Sequence, residues 1–127
     1  MNTQNFHFTK DQRLLTPTDF KHVFDSPMKK IHGAHCIVFV KHNDKNTPRL
    51  GLAITKKKLK QAVMRNKVKR VTREIFRLNQ HEIADVDLVL IVKIGFTKDF
   101  DIMSDIVKIF EKIKHHYPKS SQSYIYD

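Results

Sequence analysis

Ala62-Val63-Met64-Arg65-Asn66-Lys67-Val68-Lys69-Arg70-Val71-Thr72-Arg73-Glu74-Ile75-Phe76-Arg77-Leu78 carries two patterns at once. Met64, Val68, Val71, Ile75 and Leu78 recur at alternating spacings of four and three, which is one apolar stripe of an α-helix. At about 100° per residue, Arg65, Asn66, Lys69, Arg70, Arg73 and Arg77 fall on an arc of roughly 140° on the other side. The helix is predicted over residues 62–78, with one face for a core and the other almost wholly cationic. Like charges three and four residues apart cost a few tenths of a kcal/mol per pair in an isolated helix. Glu74 can offset part of that through Arg70 and Arg77 but cannot neutralise the face. Folding does not call for such a cluster, and the plain alternative is a solvated helix face.

The surrounding charge separates these readings. The 127 residues carry a formal net charge of +11. Residues 56–77 hold ten basic side chains, Lys56, Lys57, Lys58, Lys60, Arg65, Lys67, Lys69, Arg70, Arg73 and Arg77, against the single acid Glu74. The preceding 55 residues have eight basic and four acidic groups, and the 50 that follow have six and eight. The excess is one block, and a compact cationic block implies a polyanionic partner, most often nucleic acid. Arginine suits bidentate contacts to phosphate and base edges, lysine supplies mobile point charge, and Asn66 adds a group able to read a base edge or a ribose hydroxyl.

Outward from the basic helix the pattern is α+β. Thr16 is placed to cap a helix over Pro17–Asp25, with Pro17 at its first position, Asp19 as the capping-box acid, and Leu15 with Phe20 as a hydrophobic staple. Phe20 and Phe24, four residues apart, share a face of that helix. Residues 36–41 are rich in β-branched and aromatic side chains and are predicted to be a strand, followed by a polar turn over 42–46. Residues 49–55 alternate, with Leu50, Leu52 and Ile54 on one face and the small Gly51 and Ala53 on the other. That second face leaves room either for a close-lying ligand or for a helix. Residues 87–93 form a continuous apolar run of the kind found in strands covered on both sides. A last helix is expected from about Asp101 to His116, with Met103, Ile106, Phe110 and Ile113 on its apolar stripe. Phe6 and Phe8 stand in an extended start, and the ends, about residues 1–7 and 118–127, are expected to be flexible parts of one domain.

A protein-borne catalytic site is not expected. His81-Glu82 is followed by Asp85, so the second histidine of a zinc-protease helix is missing, and Lys56-Lys57-Lys58 lacks the glycines of a phosphate loop. The eight histidines make no familiar zinc spacing with the lone Cys36, which reads as a small buried hydrophobe. Asp99, Asp101 and Asp105 read as the start of the last helix rather than a metal centre. No apolar run approaches the roughly 20 residues that span a bilayer, and the first residues lack a secretory signal, so the expectation is a cytoplasmic protein without a membrane partner.

Residues 62–77 closely resemble the signature of the protein subunit of bacterial ribonuclease P: Arg-Asn-Arg, one residue, Lys-Arg, two residues, then Arg-Glu and an aromatic. Arg13-Leu14-Leu15-Thr16-Pro17 with Asp19-Phe20 and Val23-Phe24 resembles that family's N-terminal segment. Arg49-Leu50-Gly51-Leu52 followed by Thr55-Lys56-Lys57 resembles its strand leading into the basic helix, and the similarity runs over roughly residues 8–115. Lys67 departs from the signature's usual arginine, keeping the charge but losing the planar fork of a bidentate contact.

The resemblance implies a small α/β sandwich of the ribosomal protein S5 domain 2 type. It would have a four-stranded sheet, about three helices, and a left-handed β-α-β crossover made by the basic helix, against the usual right-handed preference. It implies partnership with a catalytic RNA and with precursor tRNA, no required protein partner, and Mg²⁺ bound chiefly by the RNA that performs the cleavage. The RNA-binding helix falls on Arg65, Asn66, Lys67, Lys69, Arg70 and Arg73, to which charge adds Lys56, Lys57, Lys58 and Arg77. The cleft for the 5′ leader takes Phe20 and Phe24, bordered by Lys69 and Arg73. Phe20 and Phe24 are either stacking surfaces for single-stranded RNA or core packing of helix on sheet. Two other classes remain open from the residues alone: a ribosomal or RNA-chaperone protein, and a stand-alone metal-dependent nuclease.

Overall fold

The computed structural model describes residues 8–119; Phe6, His7 and the polar tail beyond Lys119 lie outside them. A 3-10 turn at Lys10–Gln12 leads to helix α1, Pro17–Asp25, then strands β1, Lys29–His32, β2, Cys36–His42, and β3, Arg49–Ala53. Helix α2, Ala62–Asn79, a 3-10 turn at Gln80–Glu82, strand β4, Val86–Val92, and helix α3, Ile102–His116, complete the order. The four strands form one mixed sheet in the order β1-β2-β4-β3. β2 runs antiparallel to both β1 and β4, whereas β3 is parallel to β4 with Leu50 opposite Leu88 and Leu52 opposite Leu90. The crossover unit is therefore β3-α2-β4, with the basic helix as its connection.

α1 starts as its sequence dictates. Thr16 Oγ1 accepts from the Asp19 backbone N–H at 3.1 Å, and the Asp19 carboxylate accepts from the Thr16 N–H at 3.3 Å, a complete capping box behind Pro17. The expected staple is different: Leu15 is 58% exposed, and Leu14 takes the buried place. The Leu14 N–H donates to the Leu50 carbonyl, so the segment before α1 is pinned to the open edge of β3 and turns Leu14 inward.

β4 is the central strand and separates two apolar layers. Leu88, Leu90 and Val92 join Val38, Val40 and Leu50 in the main core beneath α2 and α3. Val89 packs on the other face with Leu14, Val23 of α1 and the partly buried Phe20 and Phe39. The stripe of α2 is wider than its periodicity predicts. Thr72 and Phe76 are fully buried, while Leu78 is 51% exposed. Phe76 fits edge-on between Phe8, 5.3 Å away, and Phe110 of α3, 6.5 Å away, so two neighbours rather than one draw on the helix. In α3 Ile106, Phe110 and Ile113 are buried as the periodicity predicts, and Ile102, Asp105 and Ile109 join them in place of Met103. Asp101 caps the helix through the Ser104 N–H, Ile102 opens the buried stripe, and Met103 points outward, 53% exposed.

β1 is the strand that no local pattern placed. It is short, lies at the sheet edge, and carries Lys29 and Lys30, which discourage further pairing. Its hairpin to β2 is held by Asp105 of α3, whose buried carboxylate accepts from the backbone N–H groups of Ala34, His35 and Cys36. A side chain at Gly33 would collide with that carboxylate, hence the glycine.

Candidate nucleic-acid interface

The helix predicted to be cationic presents its charge outward. Asn66, Arg70 and Arg73 are exposed, and Lys67 and Lys69 are half-buried along their stems. Among the described residues, no carboxylate lies within 4 Å of the charged nitrogens of Lys56, Lys57, Lys58, Lys60, Lys67, Lys69, Arg70 or Arg73. Glu74 pairs with Arg77 at 2.6 Å and not with Arg70. That contact, and the hydrogen bonding it brings, holds the exposed Glu74 carboxyl below its usual range despite slight desolvation. Arg65 is also engaged within the chain: its Nη1 donates to the carbonyls of Leu59 and Lys60, both at 2.8 Å. It ties the turn holding Lys56, Lys57 and Lys58 to the first turns of α2. Among the described residues, eight of the ten basic groups thus have no carboxylate partner, a charge that a polyphosphate chain can neutralise.

Beside this face lies a groove between α1, β3 and α2. Phe20 lines it with Leu14, Leu50 and Gly51 at its floor, and Lys69 and Arg73 stand on its rim. Its continuation along α1 is lined by Phe20, Phe24, Leu52 and Ala53. The small residues of β3 explain the shape. A Cβ at Gly51 would sit 2.7 Å from the Phe20 ring, so glycine lets that ring approach the strand closely. The room on this face thus admits α1 and leaves an open trough next to it. Phe20 is half-buried and Phe24 is 37% exposed, so both keep part of their surface open to the groove.

Next to the groove stand residues that the sequence reading passed over. Phe39 of β2 meets Phe24 edge-on at 5.1 Å, and Phe24 and Phe20 are nearly parallel with centroids 6.4 Å apart. Lys30 lies 5.4 Å from the Phe39 ring centroid, a second cation at the far end of the aromatic run. Alternation within 36–41 puts Phe39 on the face away from Val38 and Val40, and an aromatic on a strand's less-filled face is the signal that would have found it. Arg13 lies 4.8 Å over Phe8 and lines the groove near Lys69 and Arg73.

Three of the groups weighed for catalysis, Cys36, Asp101 and Asp105, have structural roles in the fold, as does Asp87. Cys36 is fully buried, and its desolvation, with Asp105 nearby, pushes the thiol up to about 12. Asp101 and Asp105 serve as helix cap and hairpin clamp. Asp87, 1% exposed, is gripped by Arg49 through two 2.8 Å bonds and by Asn43 at 2.8 Å. Among the described residues no cluster of three or more His, Cys, Asp or Glu side chains is arranged to hold a metal ion. No helix among them is long and apolar enough to cross a membrane.

Comparison with known proteins agrees with this geometry. A model of the family Ribonuclease P matches residues 8–114. The "Ribonuclease P protein component" of Pseudomonas entomophila is 48% identical over 88 residues, 69% of this chain and 66% of that protein, just under two-thirds of its length. Its counterpart from Pseudoalteromonas translucida is 38% identical over 112 residues, 87% of this chain and 79% of the relative. The solved RNase P protein of Staphylococcus aureus superposes with a TM-score of 0.69 at 26% identity, covering 89% of this chain and 97% of that one. With the signature of α2, the β3-α2-β4 unit and the matched span all in agreement, the chain belongs to the ribonuclease P protein family.

Proposed function

We propose that this protein is the accessory protein subunit of ribonuclease P, which joins a catalytic RNA and promotes endonucleolytic removal of the 5′ leader from precursor tRNA. The observation that carries this reading is the junction of two surfaces: an outward cationic face on α2 and, sharing Lys69 and Arg73 with it, an aromatic-floored groove. A folded RNA is held by phosphate contacts from the first, with Arg70, Arg73, Lys67 and Asn66 foremost. An unpaired leader lies in the second, its bases against Phe20 and Phe24 and its backbone near Lys69 and Arg73. Arg65 acts as a positioning residue for the lysine turn rather than as a phosphate ligand.

The chain's own part in the reaction is binding and orientation. Bringing leader and RNA active centre together lowers the entropic barrier to hydrolysis without any protein group attacking the phosphodiester. The carboxylates nearest the cationic face, Glu74 and Asp101, are committed to Arg77 and to the α3 cap, so these residues do not fit a protein-held Mg²⁺. We assign the Mg²⁺ of the reaction to the RNA, and the cytoplasm as the place where the complex works.

The test is reconstitution with the cognate catalytic RNA and precursor tRNA at low Mg²⁺. Cleavage at the mature 5′ end is expected to need both macromolecules. Cleavage by protein alone would indicate a stand-alone nuclease, and absence of stimulation would indicate an RNA-binding protein of another kind.

A further inference from the structure

A recess at the other end of α2 is separate from the leader groove. It opens between the turn that follows β3 and the loop that follows β4, with a volume of about 520 Å³. Lys57, Lys58, Lys60 and Lys98 surround it, with Phe96 and Gln61 in its wall and no acidic residue among its lining. Both walls are built rather than loose. Leu59 is buried, and Arg65 clamps the carbonyls of Leu59 and Lys60 from below. The opposite loop is pressed on the first, for a side chain at Gly95 would collide with the Lys58 carbonyl. Phe96 is braced edge-on by His35 at 5.5 Å and at a tilt by Phe100 at 5.1 Å, while His35 is itself fixed by the buried Asp105 through its backbone N–H.

Four lysines around a concavity repel one another, and among the described residues no carboxylate pairs with them within 4 Å. Their charge is complementary to phosphate. α2 also opens here with no acidic residue in its first turn, so its positive end adds to the field. The volume falls within the range of small-ligand sites, large enough for one nucleotide and too narrow for a duplex. The half-buried, fixed ring of Phe96 offers a stacking edge of the sort that single-stranded RNA uses. From Gln61 to Lys69 the helix rises about 12 Å, which sets the recess apart from the leader groove rather than within it.

We infer that this recess is a second single-strand RNA subsite, which takes one unpaired ribonucleotide with its flanking phosphates on Lys57, Lys58, Lys60 and Lys98 and its base against Phe96. This inference rests on the RNA-binding reading above and extends it to the loop after β4. The nucleotide comes either from an unpaired position of the catalytic RNA or from the precursor tRNA, and the experiment separates these sources.

Phe96→Ala, Lys98→Ala and the double variant are compared with the wild-type protein in two binding measurements. One is association with the catalytic RNA alone; the other is binding of precursor tRNA, with and without leader, by the assembled holoenzyme. Circular dichroism and thermal unfolding check the fold, and exposed Lys98 keeps the test valid should Phe96→Ala disturb its aromatic neighbours. A loss of about tenfold in the first measurement assigns the nucleotide to the catalytic RNA, and the same loss in the second assigns it to the substrate. Lys98→Ala should also flatten the salt dependence by about one unit of slope in the affected measurement. Folded variants that bind both RNAs within twofold of wild type, while the wild-type protein still stimulates cleavage, would overturn the subsite and leave the proposed function standing.

Discussion

Arg49, which lies outside the basic block, and Arg65, which lies within it, both turn out to be engaged inside the chain, Arg65 on the Leu59 and Lys60 carbonyls and Arg49 on a carboxylate. Arg49 lies across β3 and β4 from Asp87 and grips it with two 2.8 Å bonds in a nearly dry setting, so this pair belongs to the sheet. Hydrogen bonding to Asp87 raises the guanidinium's affinity for its proton against the cost of burial. Asp87→Ala leaves the Arg49 charge buried without its partner, and a loss of roughly 3–5 kcal/mol in urea unfolding is expected. Cys36 gives a second check at this scale. With its thiol pushed up to about 12 and no exposed surface, it should react with alkylating reagents only at the rate of unfolding, seen as labelling that denaturant accelerates. Rapid labelling of the native protein would contradict the packing of β2. These roles were not legible in the sequence, because opposite partners 38 residues apart depend on a register that only the folded sheet defines.

α1 is the element whose sequence reading was most complete, since Thr16, Pro17 and Asp19 act locally. Desolvation is the largest single influence and raises the Asp19 pKa, but the hydrogen bonds from the Thr16 and Leu15 N–H groups and the Thr16 hydroxyl, with the charge of Arg49, together outweigh it and the value is lowered. The sign follows: this cap contributes fully above the unfolded carboxyl value near 3.8 and is lost as pH falls through the lower folded value. Wild type should therefore exceed Asp19→Asn in stability at pH 6 and converge with it near pH 2, measured by urea unfolding. β3 offers the matching functional test. Gly51→Ala should tilt the Phe20 ring off the strand, and together with Phe20→Ala it should weaken holoenzyme binding of long-leader precursor tRNA about tenfold. Equal loss on leaderless tRNA would remove the leader groove from the account. β1 and the outward turn of Leu78 and Met103 escaped the sequence for a common reason. Each depends on which neighbour packs where: Asp105 on the hairpin, and Phe8 and Phe110 around Phe76.

For the whole molecule, the decisive property is a block of charge on α2 and the turn before it that the described carboxylates leave uncompensated. The basic block was plain from composition, and its amphipathic phase on α2 from periodicity, because both are properties of a continuous stretch of chain. The handedness of the crossover came only with the family resemblance, since residue spacing carries no information on how a helix returns to its sheet. Neither the diversion of Arg65 to the Leu59 and Lys60 carbonyls nor the closing of a lysine recess by the loop around Gly95 could be read without tertiary contacts. The measurement that bears most directly on the central claim is the salt dependence of association between this protein and its catalytic RNA, for wild type and Arg70→Ala. A face that neutralises about six to eight phosphates should lose roughly 10³- to 10⁵-fold in affinity between 50 and 200 mM salt, with the Arg70→Ala slope shallower by about one unit. A flat response, identical for the two proteins, would contradict the claim that α2 holds RNA through its phosphates.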